Sequence, residues 1–250
     1  MSVRGQVAPG VVEDDVAERI EQMRRRPQRF RDERITMAHG AGGKASRSFV
    51  EGLIVPLLAN PALEQLSDAG LLTVGASRLA MTTDAYVVRP LRFPGGSIGE
   101  LAVNGTVNDL AVSGARPVAL SAALVLEEGL PSELLEAEVR AMAEAARAAD
   151  VCVVTGDTKV VERGKCDGMY IVTTGVGVVD EGAHLSPSRV RPGDKVLLSG
   201  TVGDHGIAGS SDFSVVRRFG GCGFRWRRGA SGAGSCRSCG SRVRGAGPSR

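Results

Sequence analysis

The chain has 250 residues, of which 42% are hydrophobic and 24% charged, proportions typical of a globular protein with one large domain or two modest ones. No apolar run approaches the roughly 20 residues that a membrane span requires, and residues 1–33 are too charged for a secretory signal. The five cysteines, an odd number, do not describe an extracellular disulfide framework. We therefore expect a cytoplasmic protein without a membrane partner.

The net charge of +3 is unevenly distributed along the chain. Residues 209–250 carry nine Arg against a single acid, Asp212, so residues 1–208 have by difference a net charge near −5. A uniformly basic nucleic-acid-binding protein would not divide in this way, and we expect no specific nucleic-acid partner. Residues 209–250 are rich in Gly, Arg and Ser and contain too little apolar surface to offset the ordering of a backbone, so they are predicted to be a disordered tail.

The first predicted elements are helical. Residues 11–26 place sparse apolar residues at helical spacing within an N-terminal extension, residues 1–34. A glycine-rich loop at 39–44 then precedes a predicted helix from Ser46 to Leu58 with one apolar face. The loop is not a Walker A motif, because that motif needs a Gly and a Ser or Thr where this chain has Ala38 and Ala45.

Two interpretations of the glycine-rich loop stay open. Gly42 and Gly43 can bring backbone N–H groups close to an anion, and Lys44 adds a positive charge at the start of a helix. The alternative is a flexible turn followed by a surface lysine.

Strands and helices alternate over the next hundred residues. The predicted elements are strands at 71–74, 78–83 and 86–88, a helix from an N-cap at Ser97 to a stop at Gly114, a strand at 118–126, a helix from Pro131 to Ala149, strands at 151–155 and 169–179 joined through a turn at Gly156 and Asp157, and a further strand at 195–199. This alternation predicts an α+β fold of layered type, with a mixed sheet and flanking helices.

Three aspartates, Asp84, Asp109 and Asp157, interrupt or end apolar runs. A carboxylate at such a position is unfavourable to bury unless a cation compensates it, and Mg²⁺ bridging carboxylates to phosphate oxygens is a common solution. Asn108 could orient a substrate, and Lys159 could neutralise charge on a transferring phosphoryl group. Each aspartate also has a plain structural interpretation, as a turn, cap or solvent-facing helix residue.

Several segments, taken in order, resemble one family. They are His39–Lys44, Thr82–Asp84, Phe93–Gly99, Val103–Ala111, Leu126–Pro131, Thr155–Val161 and Ser199–Ala208. Over residues 35–208 they resemble HypE, the family of carbamoyl dehydratases of nickel–iron hydrogenase maturation, within the PurM-like, AIR synthase related ATP-binding superfamily.

The resemblance implies a PurM-like N-terminal ATP-binding domain at 35–185 and, at 186–208, a linker and the start of a second domain. It implies an ATP-dependent lyase that dehydrates a carbamoylated C-terminal cysteine to a thiocyanate. The carbamoyl group would come from HypF, and the cyanide would pass to iron on a HypC–HypD scaffold. It also implies a homodimer, with 118–126 and 170–179 as strands suited to the pairing.

The family's site residues carry over onto matching positions of this chain. The resemblance implies Mg²⁺ held by Asp84, Asp109 and Asp157. It implies ATP bound by these three together with Gly42, Gly43, Lys44, Asn108 and Thr158. Asn108 and Lys159 would position the carbamoyl and phosphoryl groups as catalytic residues.

The resemblance ends at Ala208. Members of the family continue into a full second domain and end in a cysteine-bearing tail, whereas this chain continues into the Arg-rich segment 209–250. We interpret that switch as a frameshift, which makes an inactive nucleotide-binding or dimerising fragment an alternative function. Other PurM-like enzymes, AIR synthetase and thiamine-phosphate kinase, are further alternatives. Selenophosphate synthetase is disfavoured because the first cysteine here is Cys152.

Overall fold

The computed structural model describes residues 29–186 and 189–198. Its contacts divide the chain into two compact units, Met1–Gln65 and Leu66–Arg250. The boundary between the two units, after Gln65, falls within the predicted domain 35–185, whose bounds stay a prediction. The helix predicted at 11–26 and the tail predicted at 209–250 lie outside the described residues, and the remaining domain boundaries stay predictions.

The described part of the first unit is a helical run. Its elements are a 3-10 turn at Met37–Gly40, helix α1 at Lys44–Phe49, a π-helical segment at Val50–Ile54, helix α2 at Val55–Leu58 and a 3-10 turn at Leu63–Gln65. The helix predicted from Ser46 to Leu58 is confirmed, with a π-helical middle. Its apolar face was expected to include Leu57 and Leu58, which are instead exposed.

A small polar and aromatic cluster holds the start of this run. The Nε2 atom of His39 lies 2.8 Å from Oδ2 of Asp32, and the backbone N–H of Thr36 donates to His39 Nδ1 at 2.9 Å. The rings of Phe30 and Phe49 pack edge-on against His39. His39 is thus a satisfied, buried residue that shapes the loop ahead of α1.

The second unit contains a five-stranded mixed sheet and two long helices. The elements are β1 Gly70–Val74, β2 Ser77–Tyr86, β3 Arg92–Phe93, β4 Gly96–Ser97, α3 Ile98–Val112, β5 Ala115–Glu127, α4 Ser132–Ala148, β6 Cys152–Val161 and β7 Met169–Val179. The main sheet has the order β1-β2-β7-β5-β6, in which only the β5–β6 pair is parallel, and β3 and β4 form a separate short hairpin. The predicted mixed sheet with flanking helices is confirmed.

The ends of α3 follow the sequence signals. The side chain of Ser97 caps the helix by accepting from the N–H of Glu100 at 3.4 Å. Beyond the helix Gly114 has a φ of +74°, a conformation that glycine adopts without strain. Both ends of α3 are therefore confirmed.

Strand β6 corrects one prediction. Gly156 and Asp157 were expected to form a turn, but β6 runs through both and pairs Gly156 with Ala122 of β5. A Cβ atom on Gly156 would lie 2.1 Å from the carbonyl oxygen of Ala122, so glycine is needed for close approach of the two strands. The glycine therefore marks a tight pairing rather than a turn.

Two other predictions differ from the structure. The strand expected at 78–83 continues to Tyr86 as β2, because antiparallel pairing with β7 extends through Asp84 to Tyr86, and the separate strand expected at 86–88 is not formed, since residues 87 and 88 lie beyond the end of β2. The strand expected at 195–199 is absent from its described part, 195–198, whose apolar side chains are exposed. Within the described residues, no helix is both long and apolar enough to span a membrane.

The core of the second unit lies between the sheet and the helices, in two hydrophobic clusters. One contains Ile98, Val103 and Ile171 with residues of α4, and the other contains Ala80 and Leu110. The buried polar residues of this unit include three threonines, which are Thr82, Thr106 and Thr173. We refer to these three residues as the polar strip.

Substituting Gly156 with Ala should destabilise the protein by roughly 1–3 kcal/mol, because the added Cβ forces the β5 backbone away. Chemical denaturation measures the change. Gly182→Ala is the control, since a Cβ at Gly182 meets no atom within 4 Å. Equal stability of the two variants would contradict the tight β5–β6 pairing.

Candidate nucleotide site

Strand β2 directs three polar side chains to the face on which α3 packs. Thr82, Asp84 and Tyr86 alternate along the strand and therefore share one side of the sheet. Thr82 contacts Asp109 of α3, and Tyr86 contacts Thr106 of the same helix. The strand thus places the Asp84 carboxylate beside α3.

Asp109 and Asp84 are electrostatic neighbours. Thr82 Oγ1 lies 3.0 Å from Oδ2 of Asp109 and 2.8 Å from the backbone oxygen of Asp68. Burial raises the pKa of Asp109, as do the nearby carboxylates of Asp84 and Asp68, while the Thr82 hydrogen bond opposes the rise. Carboxylates held together in this way form an anionic site that favours a cation.

Tyr86 holds the other aspartate. Its hydroxyl donates to Oδ2 of Asp84 at 2.9 Å and lies 3.2 Å from Oγ1 of Thr106. Burial is the main cause of the raised pKa of this phenol. Close packing is possible because residue 105 is glycine, where a Cβ atom would lie 2.3 Å from the Tyr86 hydroxyl.

Asp157 lies elsewhere on the sheet. Asp84, Thr173, Ala122 and Gly156 occupy successive strands along one row, so β2 and β6 are three strand spacings apart, about 14 Å. Asp157 follows Gly156 and therefore faces the opposite side of the sheet from Asp84. Within one chain Asp157 therefore lies apart from Asp84, and its assignment as a ligand to Mg²⁺ stays a prediction.

The two residues that follow Asp157 in β6 lie on opposite faces of the sheet. Thr158 points to the same side as Gly156, and Lys159 to the same side as Asp157. Lys159 Nζ lies 2.8 Å from an Asp157 oxygen, and this contact lowers the pKa of the exposed Asp157 carboxyl. The pair forms a neutralised, exposed contact.

The remaining predicted residues lie on two elements. Asn108 is half-buried on α3, next to Asp109. Gly42, Gly43 and Lys44 belong to the first unit: Gly42 has a φ of +73°, Gly43 is the N-cap of α1, and Lys44 is its exposed first residue. The roles of these residues in binding ATP stay predictions.

The chemistry of Asp84 and Asp109 fits a divalent cation, because both are partly buried carboxylates and the charge of Asp84 helps to raise the pKa of Asp109. Among the described residues, however, no group of three or more His, Cys, Asp or Glu side chains is arranged to hold a metal ion. One chain therefore supplies two of the three predicted ligands at one place.

Sequence reasoning missed three contributors to the site. Asp68 acts on Asp109 through its charge, Thr82 hydrogen-bonds Asp109, and Tyr86 hydrogen-bonds Asp84. The period of two along β2 would have placed Thr82 and Tyr86 on the Asp84 side, had the strand been extended to residue 86.

Comparisons with known proteins agree with this architecture. The family described as AIR synthase related protein, N-terminal domain, matches residues 66–179. The matched residues include all five strands of the main sheet and both long helices of the second unit.

Relatives extend the similarity beyond that domain. A carbamoyl dehydratase HypE of Rhodobacter capsulatus is 55% identical over 193 residues, which are 75% of this chain and 56% of the relative. Two crystal structures are similar. A HypE–HypF complex has a TM-score of 0.60 and 48% identity over 64% of this chain and 52% of that chain. HypE in complex with ATP has a TM-score of 0.52 and 49% identity over 70% of this chain and 52% of that chain.

These findings confirm the resemblance to HypE read from the motifs. The chain spans about half the length of the curated relatives it matches, 56% for the Rhodobacter capsulatus protein. The match to the AIR synthase related model includes Asp84, Asp109 and Asp157.

Replacing Asp109 with Asn should stabilise the fold at neutral pH. The folded state raises the pKa of Asp109, so the wild-type chain loses stability as pH rises through that pKa, above the ordinary value of 3.8. The amide removes the repelling charge and keeps an oxygen for Thr82. We expect Asp109→Asn to raise Tm by a few degrees at pH 7 and progressively less toward pH 4.

Thermal unfolding across this pH range measures the effect. Asp167→Asn is the matched control, because Asp167 forms an exposed ion pair with Arg89 at 3.0 Å and should show no such gain. A Tm difference for Asp109→Asn that is the same at pH 4 and pH 7 would contradict the electrostatic cause.

Proposed function

We propose that this chain carries the Mg–ATP-binding half of a HypE-type carbamoyl dehydratase. The observation that carries the proposal is the paired, partly buried carboxylates of Asp84 and Asp109, in a domain similar to that of HypE bound to ATP. Two such carboxylates raise each other's energy when the site is empty, and a cation relieves this.

Asp84 and Asp109 would be the ligands to Mg²⁺, which supplies charge neutralisation for the phosphates. Asn108, adjacent on α3, would orient the nucleotide or the carbamoyl group. By the family resemblance, Gly42, Gly43 and Lys44 would contact the phosphates of ATP, and Thr158 would be a further contact to ATP. These assignments extend the family resemblance residue by residue.

The proposed reaction is the ATP-dependent dehydration of a carbamoylated cysteine to a thiocyanate. Phosphorylation of the carbamoyl oxygen converts a poor leaving group into phosphate, and removal of the N–H protons then forms the nitrile. HypF would supply the carbamoyl group and a HypC–HypD scaffold would receive the cyanide. A HypE–HypF complex is known for a similar protein. We propose a cytoplasmic location for this reaction.

A homodimer would complete the site. The two long helices pack on one face of the sheet, and the other face carries apolar and threonine side chains, among them Met81, Val172 and Val176. A second copy packed on this face would cover its apolar side chains. Because Asp157 and Lys159 lie on the same face, we propose that they act at the interface between copies.

Binding of ATP tests the nucleotide site. Isothermal titration of the full chain with ATP should show binding that requires Mg²⁺ and that falls by tenfold or more in Asp84→Asn. Asp167→Asn is the control and should bind as the wild type. Wild-type binding without a Mg²⁺ requirement, or an Asp84→Asn variant that binds equally well, would overturn the proposed site.

The same preparations separate an enzyme from a binding fragment. After treatment with HypF, carbamoyl phosphate and ATP, mass spectrometry of the protein should detect a thiocyanate if the chain dehydrates its own carbamoyl group. ATP binding without thiocyanate favours the nucleotide-binding fragment.

Val176→Glu tests the dimer. The wild-type chain should sediment as a dimer at micromolar concentration, and Val176→Glu should shift it to monomer by placing charge on the apolar face. Val139→Glu, on the exposed side of α4, is the matched control because Val139 is already 44% exposed. A monomeric wild-type chain would refute the dimer.

A further inference from the structure

A row of hydroxyl groups runs from Asp84 into the core. The Tyr86 hydroxyl contacts Asp84 Oδ2 at 2.9 Å and Thr106 Oγ1 at 3.2 Å. Thr106 Oγ1 contacts Thr173 Oγ1, which in turn lies 2.8 Å from the backbone oxygen of Ala102. The proposed nucleotide site uses the first member of this row, Asp84, and leaves the role of the hydroxyl groups unexplained.

Packing alone does not require these hydroxyl groups. Tyr86 is 8% exposed, and Thr106 and Thr173 are fully buried, so phenylalanine and valine would fill the same space without polar atoms. A buried hydroxyl is unfavourable unless it is hydrogen-bonded, and each of these three has two polar neighbours. The row is therefore a connected polar network inside an apolar core.

The number of hydrogens limits which groups can donate. Three hydroxyl groups supply three hydrogens for four contacts, and the Asp84 carboxylate and the Ala102 carbonyl can only accept. Tyr86 therefore donates to Asp84, and Thr173 donates to the Ala102 oxygen. The Thr106 hydroxyl has one hydrogen for its two neighbours, Tyr86 and Thr173. The Tyr86 hydrogen is thereby committed to Asp84, with the Thr106 hydroxyl against the Tyr86 oxygen.

We propose that Tyr86, supported by Thr106 and Thr173, is a positioning residue that holds the Asp84 carboxylate in the orientation that binds the metal of Mg–ATP. The proposal rests on the proposed function, since it assigns a role toward the same site. Hydrogen bonds to a metal-binding carboxylate typically change metal affinity by 10–100-fold when they are removed. The hydroxyl row would act in this way on Asp84.

The test measures how the binding of ATP depends on Mg²⁺. In the full chain, Tyr86→Phe should raise the Mg²⁺ concentration for half-maximal ATP binding by about tenfold, as measured by isothermal titration at fixed Mg²⁺ concentrations. Tyr170→Phe is the matched control: Tyr170 is the other of the two tyrosines, and its hydroxyl lies 3.3 Å from the N–H of Asp167, away from Asp84. Tyr170→Phe should leave the Mg²⁺ dependence unchanged.

A second pair of variants keeps the test decisive if Tyr86→Phe does not fold. Thr106→Val removes one hydroxyl with little change in shape and should also raise the Mg²⁺ concentration for half-maximal ATP binding. Thr106→Ser keeps the hydroxyl and should leave that concentration near the wild-type value. Variants that lower Tm but leave the Mg²⁺ requirement at the wild-type value would overturn the proposal, because the hydroxyl groups would then be purely structural.

Failure of this inference is distinguishable from failure of the proposed function. If the inference alone is wrong, the wild-type chain still binds Mg–ATP, Asp84→Asn still loses it, and Tyr86→Phe behaves as the wild type. If the proposed function is wrong, the wild-type chain shows no Mg²⁺-dependent binding, which overturns both.

Discussion

The contact between α3 and the sheet is the interaction on which the rest of the second unit depends. The helix lies close to β2 and β7 because glycine occurs where a side chain would collide, as at Gly105 against Tyr86. A hydrogen bond from Thr82 to Asp109 and the contact between the Tyr86 and Thr106 hydroxyls then join helix and strand through polar groups. The same contact brings Asp109 next to Asp84. The packing of α3 on the sheet and the candidate site therefore depend on the same contacts.

Much of this fold could be predicted from sequence because its signals are local. The cap at Ser97, the glycine at Gly114 and the amphipathic pattern of α4 each depend on residues within one or two turns. The motifs added the resemblance to HypE, and the AIR synthase related model matches residues 66–179. The glycine and aspartate of β6 misled the prediction because a tight strand pairing and a turn both favour glycine.

The site was only partly predictable because it depends on sheet order and on the face of each strand. Asp84 and Asp109 could be expected near each other once α3 was known to cover β2. To place Asp157, one must know the strand order β2-β7-β5-β6 and which residues of β6 face each side of the sheet. The spacing of residues along the chain provides neither. Thr82 and Tyr86 were overlooked because hydroxyl groups in a strand have ordinary structural uses.

The polar strip of Thr82, Thr106 and Thr173 also affects how the domain holds together. Its threonines link the sheet to α3, since Thr82 contacts Asp109 and Thr173 contacts Thr106. A cation shared by Asp84 of β2 and Asp109 of α3 would add a further link between strand and helix. Folding and ligand binding would then be thermodynamically linked, and the free energy of unfolding would rise with the logarithm of the ligand concentration once the site is saturated. The domain would be more stable in a cell with a high nucleotide concentration and less stable when that concentration falls.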